Sequence, residues 1–367
     1  MKLNFNRKLV LEDGSEYYGY AFGAKVDKVL ELVFNTSMVG YQEVISDLTY
    51  ANQMVVMTYP IIGSYGIIDE DMDTKAPVAG GLVVRDYNDN PSNFRYTKTL
   101  SEILEENNIP GIWGLDTRKL TRNLRDTGTK KVYITDASFP KEEALKIINE
   151  TSIGHDAVQM LSCTKRWYSR TSNPKYNVVI VDCGVKTSLV KSINKSGCNV
   201  TVVPYDTSKE EIMNMHPDGI LLSDGPSDPK DAGVVIDLVK QLKGIVPICG
   251  VGLGHQIIGL AYGATTSKLK FGHRGSNHPI KDTKTGKIMI QSQNHGYVID
   301  AESVKNTSLT VTHINVLDST IEGVECEKDK VFSVQYEPED ILDIKDTQKS
   351  YIFGKFISSM KEVKDNA

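Results

Sequence analysis

The sequence predicts an α/β protein with a β-rich mixed domain at the N-terminus and a doubly wound α/β domain after it. Three observations carry this expectation. Val178-Val179-Ile180-Val181 is an unbroken β-branched run, the texture of a strand buried on both faces of a parallel sheet. From there strand-like and helix-like stretches alternate at short intervals, as in an open sheet covered by helices on both faces. Before it, residues 1–150 hold several short β-type runs ahead of three helical stretches. The polar, turn-prone Ser169-Arg170-Thr171-Ser172-Asn173-Pro174 separates the two textures. Domains are therefore expected at residues 1–150 and 177–367, joined by a connector over 151–176.

In the first domain, residues 8–11 read as a strand before the turn Asp13-Gly14. Residues 30–34 form a second, and residues 53–59 a third that Pro60 ends. Residues 81–84 follow. Helices are expected at 100–107, at 116–125 and, after Pro140, at 141–150. The middle helix sets Leu120 and Leu124 one turn apart, with Asp116 as its N-cap and Gly128 just past its end. In the second domain, strands are expected at 178–181, 199–203, 219–222 and 245–249, and helices at 187–195 and 231–242. Ligands of such sheets lie at the carboxyl ends of the strands. The loops after Leu222, Cys249 and Gln291 are thus the places where chemistry is expected.

Composition narrows the function. Hydrophobic residues make up 40% and charged residues 24%, the make-up of an ordinary globular chain. That excludes a disordered chain, a collagen-like repeat and a disulfide-dense miniprotein. A net charge of −5 leaves no basic excess to displace counterions from phosphates, so no nucleic-acid partner is expected. No stretch approaches the ~18 apolar residues of a membrane span, so no membrane partner is expected. The first residues run into Glu12 and Asp13 without the apolar core of a secretory signal. Cys163, Cys183, Cys198, Cys249 and Cys326 include no CxxC pair. Neither a metal site nor a disulfide framework is indicated, and a reducing, cytoplasmic location is expected.

The segment Cys249-Gly250-Val251-Gly252-Leu253-Gly254-His255-Gln256 turns from strand to helix with three glycines. Such a turn projects one residue into a pocket while backbone N–H groups face an anion. A dinucleotide fingerprint fails here, because His255 stands where the third glycine belongs.

With further ordered stretches, this segment resembles the small, glutamine-amidotransferase subunit of carbamoyl phosphate synthetase. In the first domain the resemblance lies in Leu11-Glu12-Asp13-Gly14, in the run from Phe34 to Glu43, in Thr58-Tyr59-Pro60 and in the run from Leu115 to Arg122. In the second it lies in Leu253-Gly254-His255-Gln256, in the run from Lys270 to Pro279 and in Gln293-Asn294-His295-Gly296. The resemblance implies a class I glutamine-amidotransferase-like second domain. In that family a cysteine on the strand–helix turn attacks the amide of L-glutamine. A histidine activates the thiol, a glutamate orients the histidine, and backbone N–H groups hold the oxyanion. It also implies a large-subunit partner that takes the ammonia and carries ATP, this chain holding no cofactor, in pyrimidine or arginine synthesis.

The catalytic positions depart from that pattern. Gly252 stands at the nucleophile position and Glu337 at the histidine position of Gln335-Tyr336-Glu337-Pro338-Glu339; only the orienting Glu339 remains. Glycine offers no nucleophile, so the acyl-enzyme route is expected to be lost. By resemblance, glutamine contacts fall at Thr49, Gly225, Ser227, Leu253, Gln256, Asn294, Gly296 and Tyr297. Ser227 replaces the second glycine of the family's Gly-Pro-Gly-Asp-Pro loop, where a side chain would crowd the oxyanion site or alter its backbone. Several departures around one site point to divergence rather than an engineered knockout. Cys249, three residues before the turn, is expected in the sheet–helix packing instead of serving as a substitute nucleophile. His255 reads as a packing or capping residue. His295 is placed in a loop, and His273 and His278 have no expected catalytic role.

Three functional readings follow. The chain is a subunit whose glutaminase is lost or strongly impaired. It is a hydrolase in which Glu337 and Glu339 activate water. Or it is a regulatory protein that senses glutamine.

Overall fold

The computed structural model describes residues 5–338 and 351–365, and the chain forms two compact units, Met1–Gly154 and His155–Ala367. The first unit opens with β1 (Arg7–Leu11), β2 (Glu16–Gly23), β3 (Lys28–Asn35) and α1 (Tyr41–Ser46). It continues through β4 (Gln53–Met57), β5 (Ile61–Ile62), β6 (Gly81–Val83), β7 (Asp86–Tyr87) and α2 (Leu100–Glu106). It ends with β8 (Pro110–Trp113), α3 (Thr117–Thr127), β9 (Lys130–Asp136) and α4 (Lys141–Glu150).

The expected β-rich domain is a closed barrel. Its strand order is β1-β2-β8-β6-β4-β3-β9, and β9 pairs back onto β1. The pairs β3–β4, β4–β6 and β6–β8 are parallel and the others antiparallel. Leu9, Leu11, Leu32, Val55 and Leu82 are fully buried, and closure leaves no free sheet edge. The strands β2, β8 and β9 went unmarked in the sequence. Half-exposed aromatic residues break the apolar signal of β2, and β8 begins on Pro110, a position where a strand tolerates proline. The helix caps are as expected. The Asp116 carboxylate accepts from the Lys119 N–H at 2.9 Å, and Gly128 closes α3 with φ of 100°.

The second unit holds α5 (Ala157–Leu161), β10 (Trp167–Ser169), β11 (Tyr176–Asp182), α6 (Thr187–Lys195), β12 (Cys198–Pro204) and α7 (Lys209–Met213). Then come β13 (Gly219–Leu222), α8 (Gly233–Leu242), β14 (Ile248–Val251), α9 (Leu253–Ala261), β15 (Thr266–Asp282) and β16 (Ile288–Ile299). The last elements are α10 (Ala301–Val304), β17 (Thr310–Asn315), β18 (Ile321–Cys326), β19 (Val331–Val334) and α11 (Tyr351–Asp365). Ten strands form one sheet in the order β10-β12-β11-β13-β14-β19-β18-β17-β15-β16. The five from β12 to β19 are parallel, and antiparallel strands extend both ends.

Helices pack on both faces, which makes the sheet doubly wound. Val235, Leu238 and Val239 of α8 and Ile257 and Ile258 of α9 share one core with Val179, Val181, Ile220 and Leu222. Val190 and Ile193 of α6 and Phe353, Phe356 and Met360 of α11 share the other with Val178, Ile180, Leu221 and Cys249. Alternate residues of one strand thus feed opposite cores.

Parts of the sequence reading change. Residues 155–176 group with the second unit: Val158 lies in its core and β10 pairs with β12. The helix expected from 231 begins at Gly233, after a 3-10 turn over Pro229–Asp231 that the Asp228 side chain caps. Gln291 and His295 lie within β16 and not in loops, because β15 and β16 form a long hairpin that no short apolar run announces. Among the described residues no helix is long and apolar enough to cross a membrane.

Candidate active site

The site lies at the carboxyl ends of β13 and β14. At Gly252 the chain leaves β14 and enters α9 with φ of 55° and ψ of −112°, a region that L side chains rarely adopt. The Gly252 N–H donates to the Val334 carbonyl at 3.0 Å, which ties the turn to β19. A Cβ on Gly254 would strike the Leu222 backbone, so the helix starts hard against β13. Strand, strained turn and helix together form an elbow.

Two backbone N–H groups converge beside this elbow. Leu253 N, in the first turn of α9, donates to Asp224 Oδ1 at 2.8 Å, and Gly225 N donates to the same atom at 2.8 Å. The Leu253 N–H, at the N-terminus of α9, favours a negative charge, and the Gly225 N–H of the loop after β13 adds a second donor. The occupant is a side chain of the protein itself. Asp224 is buried, and an ideal Cβ on Gly252 would run into its carboxylate. The loop carrying Asp224 is held from both sides. Ser223 Oγ donates to the Asp224 carbonyl and accepts from the Cys183 N–H, each at 2.9 Å, and the Gly254 N–H donates to the Ser223 carbonyl at 3.2 Å. Three residues after Asp224, Ser227 has φ of 77°, the left-handed region that glycine adopts freely.

Glu337 follows β19. Its N–H donates to the Ser292 carbonyl of β16 at 3.0 Å, and its side chain accepts from Lys186 Nζ at 2.8 Å. Lys186, at the start of α6, is buried, so this is a largely dry ion pair. Glu339 lies outside the described residues.

The other expected glutamine contacts divide. Leu253 and Gly225 supply the convergent N–H groups. The Gln256 amide is committed inside the fold, donating to the Tyr297 carbonyl and to Gln335 Oε1, both at 2.8 Å. Asn294, Gly296 and Tyr297 lie on β16, with Asn294 opposite Arg274 of β15. Thr49 belongs to the first unit, where its hydroxyl donates to Asp47 at 2.8 Å.

The histidines and Cys249 are packed into the fold. Cys249 is fully buried in the core that α6 and α11 cover, and burial pushes its thiol well above the ordinary range. His255 is fully buried with Nδ1 2.9 Å from Ser333 Oγ, and burial with His313 nearby lowers its pKa to about 3. Burial also holds His295 neutral. His273 differs. Burial opposes its charge, but the Asp318 and Glu322 carboxylates outweigh burial and raise it to about 9; Nε2 donates to Asp318 at 2.8 Å. His273, His295 and Glu322 bring donor atoms within 4.8 Å of one another, the one described cluster with the residue types and spacing of a metal site.

Comparison with known proteins gives the chain its family. The profile of the carbamoyl-phosphate synthase small chain, CPSase domain, matches residues 9–134, and that of glutamine amidotransferase class-I matches residues 179–358. The carbamoyl phosphate synthase small chain of Staphylococcus epidermidis is 48% identical over 98% of this chain and 97% of its own length. The chain belongs to the carbamoyl phosphate synthase small chain family. The small chain of Fusobacterium nucleatum is 45% identical over 97% of this chain and 98% of its own length. A glutamine amidotransferase structure from Thermotoga maritima covers 52% of this small chain and 84% of its own, at 14% identity and a TM-score of 0.36.

Within this small chain, sequence reasoning missed Asp224 and Lys186. The available signal for Asp224 was an acid beside the turn glycine of Ser223-Asp224-Gly225-Pro226, at the carboxyl end of a strand. Lys186 carried no signal, since its partner lies 151 residues away.

Proposed function

We propose that the chain is the small subunit of a carbamoyl phosphate synthetase and that its own glutaminase chemistry is lost. The observation that carries this reading is the elbow at Gly252. The backbone keeps the strained turn on which the family's cysteine would stand, and no side chain is there to attack an amide. The position of the family's histidine supports it: Glu337 is engaged by Lys186 at 2.8 Å, so the carboxylate faces a cation and not a thiol. That pair also weighs against a hydrolase in which Glu337 activates water, because proton transfer to Glu337 would break a buried ion pair.

In this reading the partner is the large subunit, which carries ATP and bicarbonate chemistry, and ammonia reaches it from solution. The small chain contributes docking and regulation, and it holds no cofactor of its own.

The test is ammonia release from L-glutamine by the chain mixed with a cognate large subunit, beside the large subunit alone. The expected result is no release above the control, with carbamoyl phosphate formed from ammonium chloride but not from glutamine. Release above the control that disappears in Glu337→Gln would overturn the reading in favour of water activation by that carboxylate.

A further inference from the structure

We propose that Asp224 determines what the site beside the Gly252 turn can bind. Its carboxylate occupies the two N–H groups that an amide oxygen would need, so the site refuses the side-chain amide of glutamine while Asp224 stays in place. This rests on the reading that glutaminase chemistry is lost, and it adds a reason why the substrate itself is excluded.

Geometry comes first. Leu253 N and Gly225 N both donate to Asp224 Oδ1 at 2.8 Å, so one atom satisfies both donors. An incoming amide oxygen has to displace it. The competition is unequal. Hydrogen bonds to a carboxylate are roughly twice as strong as those to a neutral amide oxygen, and the N-terminus of α9 adds its own preference for negative charge. Asp224 is also tethered to the loop, so it loses no translational freedom on taking the site, whereas glutamine does.

The space comes from residue 252. A Cβ there would overlap Asp224 Oδ1 and Cγ, so the carboxylate fills the volume into which a side chain at 252 would project. Absence of that side chain and presence of the carboxylate are two sides of one arrangement. The bonds from Ser223, Cys183 and Gly254 fix the loop in this position.

The experiment is calorimetric titration of the full chain with L-glutamine and, separately, with L-glutamate. The proteins are wild type, Asp224→Ala and Asp224→Asn, each first checked for an intact thermal transition. Asp224→Ala is expected to bind glutamine at least about tenfold more tightly than wild type, a gain of roughly 1.4 kcal/mol. Glutamate is expected to gain as well, because both ligands present an oxygen to the freed N–H pair. Asp224→Asn keeps the size without the charge and is expected to fall between; it stands in if the alanine variant does not fold. Equal affinity in wild type and in a folded variant, or no binding by either, would overturn the proposal. A lowered melting temperature without tighter binding would make Asp224 a brace of the turn only. Ammonia release by the wild-type chain would instead sink the lost-glutaminase reading, so the two failures remain separate.

Discussion

The Asp224 carboxylate lies where a side chain on residue 252 would point, and Gly252 supplies both the missing Cβ and the left-handed backbone that make this possible. The two residues are therefore coupled energetically as well as spatially. Gly252→Cys alone introduces strain at φ of 55° and a collision with Asp224. It is expected to cost roughly 2–4 kcal/mol. In an Asp224→Ala background the collision disappears and the cost should fall by about 1 kcal/mol or more. Urea unfolding of the four proteins of the cycle measures this; an equal cost in both backgrounds would refute the coupling.

The Lys186–Glu337 pair is expected to hold the segment after β19 against α6. Replacing Glu337 by Gln keeps an acceptor for Lys186 but removes the opposing charge, and should cost roughly 1.5–3 kcal/mol, the worth of a hydrogen bond to a charged group. The double change Lys186→Met with Glu337→Gln should recover part of that loss, because it removes the charge that needs a partner. No difference between the single variant and wild type in urea would show that the pair contributes nothing.

Stability should be greatest near pH 6.5 and fall on both sides. His273 is raised to about 9 in the folded chain. Its contribution is therefore complete below the ordinary histidine value of about 6.5 and is lost as pH rises through about 9. His255, lowered to about 3, and His278, lowered to about 4, behave oppositely. They must be neutral in the native state, so stability falls as pH drops below about 6.5 and the unfolded chain takes up protons first. Melting temperature against pH tests both limbs. In His273→Asn the alkaline limb should flatten while the acid limb stays; an unchanged alkaline limb would assign it to another group.

In the first unit, Asp116→Ala removes the N-cap of α3 and should cost about 1 kcal/mol. The measurement is chemical unfolding followed through that unit. A change within error would mean that α3 is held by Leu120 and Leu124 in the core alone.

Elements with strong local signals appeared in the structure close to where the sequence put them. The β-branched run of β11, the Asp116 cap and Gly128 end of α3, and the glycine-rich turn from β14 into α9 are of this kind, since propensity, capping and turn chemistry act over a few residues. The barrel was legible only as a β-rich domain. Its closure depends on β9 returning to β1, a pairing of residues more than 100 positions apart. The β15–β16 hairpin escaped because its buried and exposed positions keep no period of two, the register shifting at 268–273 and 275–278.

The site divides in the same way. Residue identity alone established that position 252 has no side chain, that position 337 carries a carboxylate, and that long ordered motifs tie both domains to one family. Those facts are chemical and local. Tertiary structure decided what stands in their place: Asp224 turned onto the Leu253 and Gly225 N–H groups, and Lys186 brought to Glu337 across the sheet. Neither follows from spacing. Each depends on where β13, β14, β19 and α6 end relative to one another, and burial within the second unit rather than local propensity sets those positions.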